Sequence, residues 1–302
     1  VKLASLKSEG GTGTSVVAVL DDEVVDLSTA LPESPSDVAG LFELGPSAVD
    51  QVRAVIEAGG NRSPLELSRL ASPVASPGKF FAIGLNYADH IAETGAEAPK
   101  FPNVFAKMPS CVAGPYDEVQ LPSVSDELDY EGELGFVIGT RCRHVSRERA
   151  SEVIAGYVVI NDYSVRDYQM RTSQWILGKS FDTHGVIGPW LVTADEIADP
   201  HTLPIRTLVN GELRQSSNTS NLIFDCFDAV ELLSSVCTLE PGDVVATGTP
   251  GGVGMATGTF LAPGDVVRVE IDGIGAIENR IVPEPATVPS GHPSAATSTR
   301  SS

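Results

Sequence analysis

The amino-acid sequence predicts an α+β fold that is mainly β, with short helices. Three observations carry this prediction. Short apolar runs recur from Lys79 to Val282, namely FFAIGL, ELGFVIG, GYVVIND, PWLVTADE, IRTLVNGE, DVVATG and DVVRVEIDG. Their length and their glycine, proline and aspartate boundaries mark strands or strand–turn units. Helical patterns are fewer and do not alternate with strands as a βαβ repeat would. The 302 residues suffice for one large domain or two modest ones.

Taken in order, the chain divides into a small N-terminal α/β domain (residues 1–72), a main domain (73–283) and a tail (284–302). In the first part, VLDDEVVDL reads as a hairpin turning at Asp21 and Asp22, and SAVDQVRAVIEAGG and LELSRLA have helical spacing. The segment SPVASPGKF, with Pro73 and Pro77, marks the domain edge. In the main domain LNYADHIAETG is helical and stops at Gly95, Ser146 N-caps a helix RERASEVIA that stops at Gly156, and FDAVELLSSVCTL is the best-patterned helix. The turns EPGDVV and APGDVV separate the late strands. The tail PEPATVPSGHPSAATSTRSS is too poor in apolar residues to form a core and is expected to be disordered.

Composition excludes several functions. A net charge of −20 argues against nucleic acid and anionic membranes, which need a basic face. No apolar run reaches the roughly 18 residues of a membrane span. The opening VKLASLKSEGGTGTS has no apolar signal-peptide segment, so a cytoplasmic protein is expected. Cys111, Cys142, Cys226 and Cys237 are widely spaced without a CxxC pair. They read as reduced thiols, and none has a nucleophile context. GTPGGVG follows a strand as a phosphate loop would, but MATGTFLAPGDVV does not read as the helix such a loop requires. A glycine turn beside a site, with Thr249 as a hydroxyl donor, is the preferred reading. RCRHVSRER reads as a solvated helix entrance, and His144, His184, His201 and His292 lack metal-ligand spacing.

The segment DYEGELGFVI carries the chemical signal. Glu131 and Glu133 alternate on a strand and so share one face. Two like charges running into an apolar strand are costly unless a cation neutralises them. Carboxylate oxygens suit Mg²⁺ or Mn²⁺, with Ca²⁺ as a further candidate. Asp162, at the end of GYVVI, is the candidate third ligand. The competing reading makes both glutamates the wet face of an edge strand, and alternation alone does not separate the two.

Several motifs in order, GLNYADHIAETG, DYEGELGFVIG, AGYVVINDYSVRDYQ, WILGKSFDTHGVIGPWLV, VNGELRQ and GDVVATGTPGGVG, resemble the fumarylacetoacetate hydrolase superfamily. The likeness covers Phe80 to about Val282 and is strongest to its acylpyruvase and 2-hydroxyhepta-2,4-diene-1,7-dioate isomerase-like branch. It implies a mixed β-sandwich roll, a homodimer, and metal ligation by Glu131, Glu133 and Asp162. It also implies an acid–base pair His90–Glu93 on a lid segment, which Gly84 and Gly95 would let close. Lys179 would act with that pair. Lys107, Arg166, Gln169 and Thr249 would bind substrate, Thr249 at a carboxylate. Lys179 and Arg166 would offset the acidity locally, so that an anionic 2-oxo acid can bind.

The implied chemistry is hydrolysis of a C–C bond in an acylpyruvate or related β-diketo acid, within catabolism. His90 and Glu93, three residues apart, would share a helix face and activate water; Lys179 and Gln169 would hold the oxyanion. The first alternative is a decarboxylase, isomerase or hydratase of a 2-oxo dicarboxylate of the oxaloacetate or 2-oxohept-3-enedioate type. The second is a non-catalytic metal- or ligand-binding protein.

Overall fold

The computed structural model describes residues 1–8, 10, 13–28, 35–45, 47–89 and 99–286. His90, Glu93 and Gly95, most of the expected LNYADHIAETG helix, and the tail from residue 287 lie outside the described residues.

The two most apolar runs form the centre. Every residue of the strands Gly132–Ile138 and Ile154–Asp162 is buried. Such continuous burial suits a valine- and isoleucine-rich run covered on both faces. The two strands pair antiparallel, with Gly132 opposite Asn161 and Glu133 opposite Ile160. The sheet is then ordered Arg62–Pro64, Glu23–Asp26, Thr14–Leu20, Lys2–Lys7, Gly185–Thr193, Ile154–Asp162, Gly132–Ile138, Val244–Ala246, Phe80–Gly84, Asn103–Lys107. Thus the strands of the first 72 residues continue the main domain's sheet, through Lys2 and Leu3 on Val192 and Leu191.

A second sheet of five strands, ordered Glu212–Asn218, Pro204–Val209, Val266–Ile271, Gly275–Pro283, Val119–Leu121, covers one face. Alternation sends Leu134 and Phe136 into a core with Val267, Val269 and Ile277 of that sheet, together with Val230 and Leu233 of the helix Cys226–Val236. The other face carries Val137, Val158 and Ile160 into a second core with Leu41 and Val52, from the helices Val38–Glu43 and Ala48–Glu57. The arrangement is mainly β with short helices, as the strand pattern predicts.

The hairpin at Asp21 and Asp22 forms, with Leu20 opposite Glu23. The helix Cys226–Val236 starts on a capping box, Asp225 accepting from the amides of Phe227 and Asp228 while the Asp228 carboxylate accepts from the Asp225 amide. Two helical expectations give way to the sheets. LELSRLA makes only a 3-10 turn, Leu67–Arg69, before Leu70–Ala71 pairs with Lys2–Lys7. RERASEVIA makes a 3-10 stretch, Arg147–Glu152, without a side-chain cap from Ser146. From Ile154 the chain joins the central strand, where its apolar residues are buried on both faces, so tertiary packing overrides local helical spacing. Gly156 lies in that strand, not at a helix end, and a Cβ there would meet the Val192 carbonyl at 2.2 Å. The four cysteines are free thiols, Cys111 and Cys226 buried. No described helix is long and apolar enough to cross a membrane.

Candidate metal centre

Strand parity predicts the site. Glu131 and Glu133 share the face of Val137, and Asp162 shares that of Val158 and Ile160. The two strands present those faces to one core. The Asp162 amide donates to the Glu131 carbonyl at 2.9 Å, which fixes the two side by side. One carboxylate oxygen from each of Glu131, Glu133 and Asp162 lies within 4.8 Å of the others, and all three residues are buried. The strand Gly132–Ile138 is hydrogen-bonded on both sides, to Ile154–Asp162 and to Val244–Ala246. It is not an edge strand, so the wet-face reading of the two glutamates fails.

Three buried cations converge on these carboxylates. Lys179 Nζ donates to Glu131 Oε2 at 2.6 Å and to Asp162 Oδ2 at 2.9 Å. Lys107 Nζ donates to Asp162 Oδ1 at 2.5 Å and to the Lys179 carbonyl. Arg166 donates from Nη1 to Glu131 Oε1 at 2.6 Å and to Gln169 Oε1 at 2.9 Å, and from Nε to Asp129 Oδ2 at 2.9 Å. Asp129 also accepts from the amides of Gly254 and Met255, at 2.7 and 2.8 Å. It thereby anchors the glycine loop and Arg166 together.

The electrostatics single out Glu133. Burial raises the Glu131 carboxyl, but Lys179 and Arg166 more than offset this and bring it down to about 2. Lys179 loses by desolvation and gains more from Asp162 and Glu131, so its ammonium is held above the usual lysine range. Glu133 goes the other way. Burial pushes it well above the carboxylate range, and the charges of Asp162 and Glu131 push it further. It accepts from the Gly248 amide at 2.6 Å, and among the described residues no lysine or arginine pairs with it. Asp129, Glu131, Glu133 and Asp162 face Lys107, Arg166 and Lys179: four buried negative groups against three positive ones. A hard divalent cation fits this set, because it has all-oxygen donors and one carboxylate short of a counter-charge.

A cavity of about 180 Å³ adjoins Glu131, lined also by the polar side chains of Arg166, Gln169, Lys179 and Thr249 and by apolar Ile83, Met170, Trp175 and Met255. Its small size suits a small acid rather than a drug-sized ligand of 300–1,000 Å³. Arg166 and Gln169 sit on the turn Arg166–Gln169, and Lys179 ends the turn Ile176–Lys179. These turns touch at Gly178, where a Cβ would meet the Gln169 amide nitrogen at 2.3 Å. Trp175 packs on Gly84, where a Cβ would lie 2.2 Å from its ring, and edge-on to Phe105. Lys107 lies beneath the carboxylates, and its ammonium is engaged by Asp162 and the Lys179 carbonyl. Thr249 lines the cavity, and its hydroxyl donates to the Gly132 carbonyl at 3.0 Å. The glycine loop is followed by one helical turn, Gly254–Thr257, whose amides Asp129 already occupies. Two buried residues in this network, Asp129 and Gln215, did not stand out in the sequence. Their signals were an acid immediately before the two-glutamate motif and a glutamine closing VNGELRQ.

Residues 79–282 match the model of the fumarylacetoacetate hydrolase C-terminal family. The chain belongs to that family. It is similar to the mitochondrial oxaloacetate tautomerase of Xenopus laevis, 39% identical over 288 residues that cover 93% of this chain and 90% of the relative. It is also similar to the mitochondrial oxaloacetate tautomerase of Rattus norvegicus, 43% identical over 262 residues covering 86% and 84%. Among solved structures it superposes on maleylpyruvate hydrolase from a Sphingobium species in complex with manganese(II) and pyruvate, with a TM-score of 0.77 and 34% identity. That likeness covers 94% of this chain and 100% of the other. The buried carboxylate triad of this family member suits a divalent metal, and the Sphingobium relative holds manganese(II).

Proposed function

We propose that the chain is a divalent-metal isomerase that interconverts the keto and enol forms of a short 2-oxo dicarboxylate of the oxaloacetate type. The observation that carries this reading is the buried carboxylate centre with its adjoining ammonium, in a chain aligned over nearly its whole length with oxaloacetate tautomerases. Glu131, Glu133 and Asp162 would hold Mg²⁺ or Mn²⁺, which would supply Lewis-acid stabilisation of enolate charge. Lys179, kept protonated by its two carboxylates, places an N–H donor beside the developing oxyanion. Arg166 and Gln169 orient the substrate carboxylate, and Thr249 contacts the opposite end of the oxo-acid group. His90 takes the proton from C3 as the C2–C3 double bond forms, and Glu93 stabilises its charged state. The same proton, delivered to the C2 oxygen, completes the enol, so no water is consumed and no fragment leaves. Two copies of the chain form the working assembly, which sedimentation of the purified protein would check.

A second reading, C–C bond hydrolysis of an acylpyruvate, draws support from the likeness to maleylpyruvate hydrolase. One assay separates the two. With Mn²⁺ present, decay of enol absorbance from oxaloacetate without release of pyruvate or carbon dioxide is the expected result. Stoichiometric pyruvate from an acylpyruvate, with oxaloacetate untouched, would overturn the isomerase reading in favour of the hydrolase.

A further inference from the structure

The strand Glu212–Asn218 runs along the outside of the second sheet, and most of its residues are exposed or half-buried. Gln215 alone in it is fully buried, between exposed Arg214 and exposed Ser216. Its amide reaches out of its own sheet into the metal centre. Oε1 accepts from the amide of Gly132, the residue between Glu131 and Glu133, at 3.0 Å. Nε2 donates to the Pro250 carbonyl at 2.8 Å and to Thr249 Oγ1 at 2.8 Å. The approach is close enough to demand glycine in the loop opposite. A Cβ on Gly252 would lie 2.1 Å from the Arg214 carbonyl oxygen, and Gly252 has φ +98°.

The two backbone partners fix the sense of the amide. An N–H can only donate and a carbonyl can only accept, so the oxygen must face Gly132 and the nitrogen must face Pro250. The nitrogen therefore also donates to Thr249. The Thr249 hydroxyl, with that lone pair taken, sends its own proton to the Gly132 carbonyl. Its rotor is set, and Thr249 lines the cavity in that orientation.

We infer that Gln215 is a positioning residue for substrate binding: it acts through Thr249, setting that hydroxyl against the bound 2-oxo acid, and it does not hold the metal. The inference rests on the proposed reading of the cavity as the 2-oxo acid site. Glu131 and Glu133 are held independently, by Lys179, Arg166 and the Gly248 amide, so metal binding survives loss of Gln215.

The test uses the full chain with Mn²⁺ and four variants: Gln215→Leu, Thr249→Val, the double variant, and Gln215→Glu. Each single apolar variant is expected to raise KM about tenfold, the worth of one buried hydrogen bond to the substrate-facing group. The double variant should be no worse than Gln215→Leu, because both changes remove one interaction. The Mn²⁺ dissociation constant, read by electron paramagnetic resonance without substrate, should stay within about twofold, well below the tenfold change of a lost charge-assisted contact. In Gln215→Glu the size is conserved but the donor becomes an acceptor facing two acceptors. Its KM penalty relative to the natural chain should shrink as pH falls, because the introduced carboxyl then carries a proton to donate. A packing role would show no such recovery. Additive KM effects in the double variant, an unchanged KM in Thr249→Val, or a pH-independent penalty in Gln215→Glu would each overturn the inference. A failure of the proposed function itself shows separately, as absence of turnover in the natural chain before any variant is made.

Discussion

Arg147 and Arg166 each hold two carboxylates, and they differ in almost everything else. Arg147 pairs with Asp225 and Asp228 at the start of the helix Cys226–Val236, and its side chain is 41% exposed. Arg166 pairs with Asp129 and Glu131, and its side chain is 5% exposed. At the first site water competes for every charge, and the cluster mainly finishes a helix cap. At the second, bulk water is largely excluded, and each charge leans on its partners to stay ionised. The same residue types thus make a surface cap in one place and a buried charge cluster in the other. The difference is burial, not pairing geometry.

The largest contrast to test lies within the buried cluster. Glu133→Gln removes the carboxylate that, among the described residues, has no lysine or arginine bonded to it. Mn²⁺ affinity should fall by more than about a hundredfold, consistent with loss of one of three charged ligands. Metal-free stability should move the other way. A carboxyl held above its unfolded range favours the folded state at acid pH and costs stability as pH rises past it. The metal-free variant should therefore exceed the natural chain in Tm by a margin that widens from pH 5 to pH 8. Retained Mn²⁺ binding in calorimetry would remove Glu133 from the ligand set.

Next come the arginines themselves. Arg166→Ala strands Asp129 and Glu131 in the interior and should cost about 3–5 kcal/mol in urea denaturation. Arg147→Ala should cost only about 0.5–1 kcal/mol, since its partners turn to water. Equal costs would mean that burial is not what separates the sites.

A smaller effect concerns a buried group with no such partners. His184 is fully buried, and desolvation lowers its pKa from 6.5 to about 4. It stays neutral when folded, but in the unfolded chain it takes up a proton below about pH 6.5. The natural chain should therefore lose about 3 kcal/mol between pH 7 and pH 4 that His184→Gln does not lose, from about 2.5 units at 1.36 kcal/mol each. Parallel stability curves for the two proteins would show that His184 titrates alike in both states.

Much of the site was legible because it rests on local periodicity. Glu131 and Glu133 must share a face wherever their strand goes, and Asp162 ends the next long apolar run. The strands themselves were legible as buried runs. The failures came where local spacing met tertiary demand. RERASEVIA and LELSRLA have helical patterns, yet Ile154 and Leu70 are worth more in the sheets than in a helix. Lys107 reads as a substrate contact by resemblance, and the structure engages its ammonium with Asp162 under the carboxylates. Gln215 was invisible as a site residue, since nothing in VNGELRQ reveals that one side chain turns inward from an exposed strand.

By itself, then, the sequence determined a mainly β chain, a strongly acidic surface, and two glutamates forced onto one face beside a third acid. Only the tertiary structure decided that Glu131 stands opposite Asp162, that among the described residues no lysine or arginine bonds to Glu133, and that Lys107, Lys179 and Gln215 arrive from distant segments to complete the centre. The physical reason is range. Side-chain alternation is a property of two or three adjacent residues, whereas charge balance depends on strand register and on which faces the cores bury.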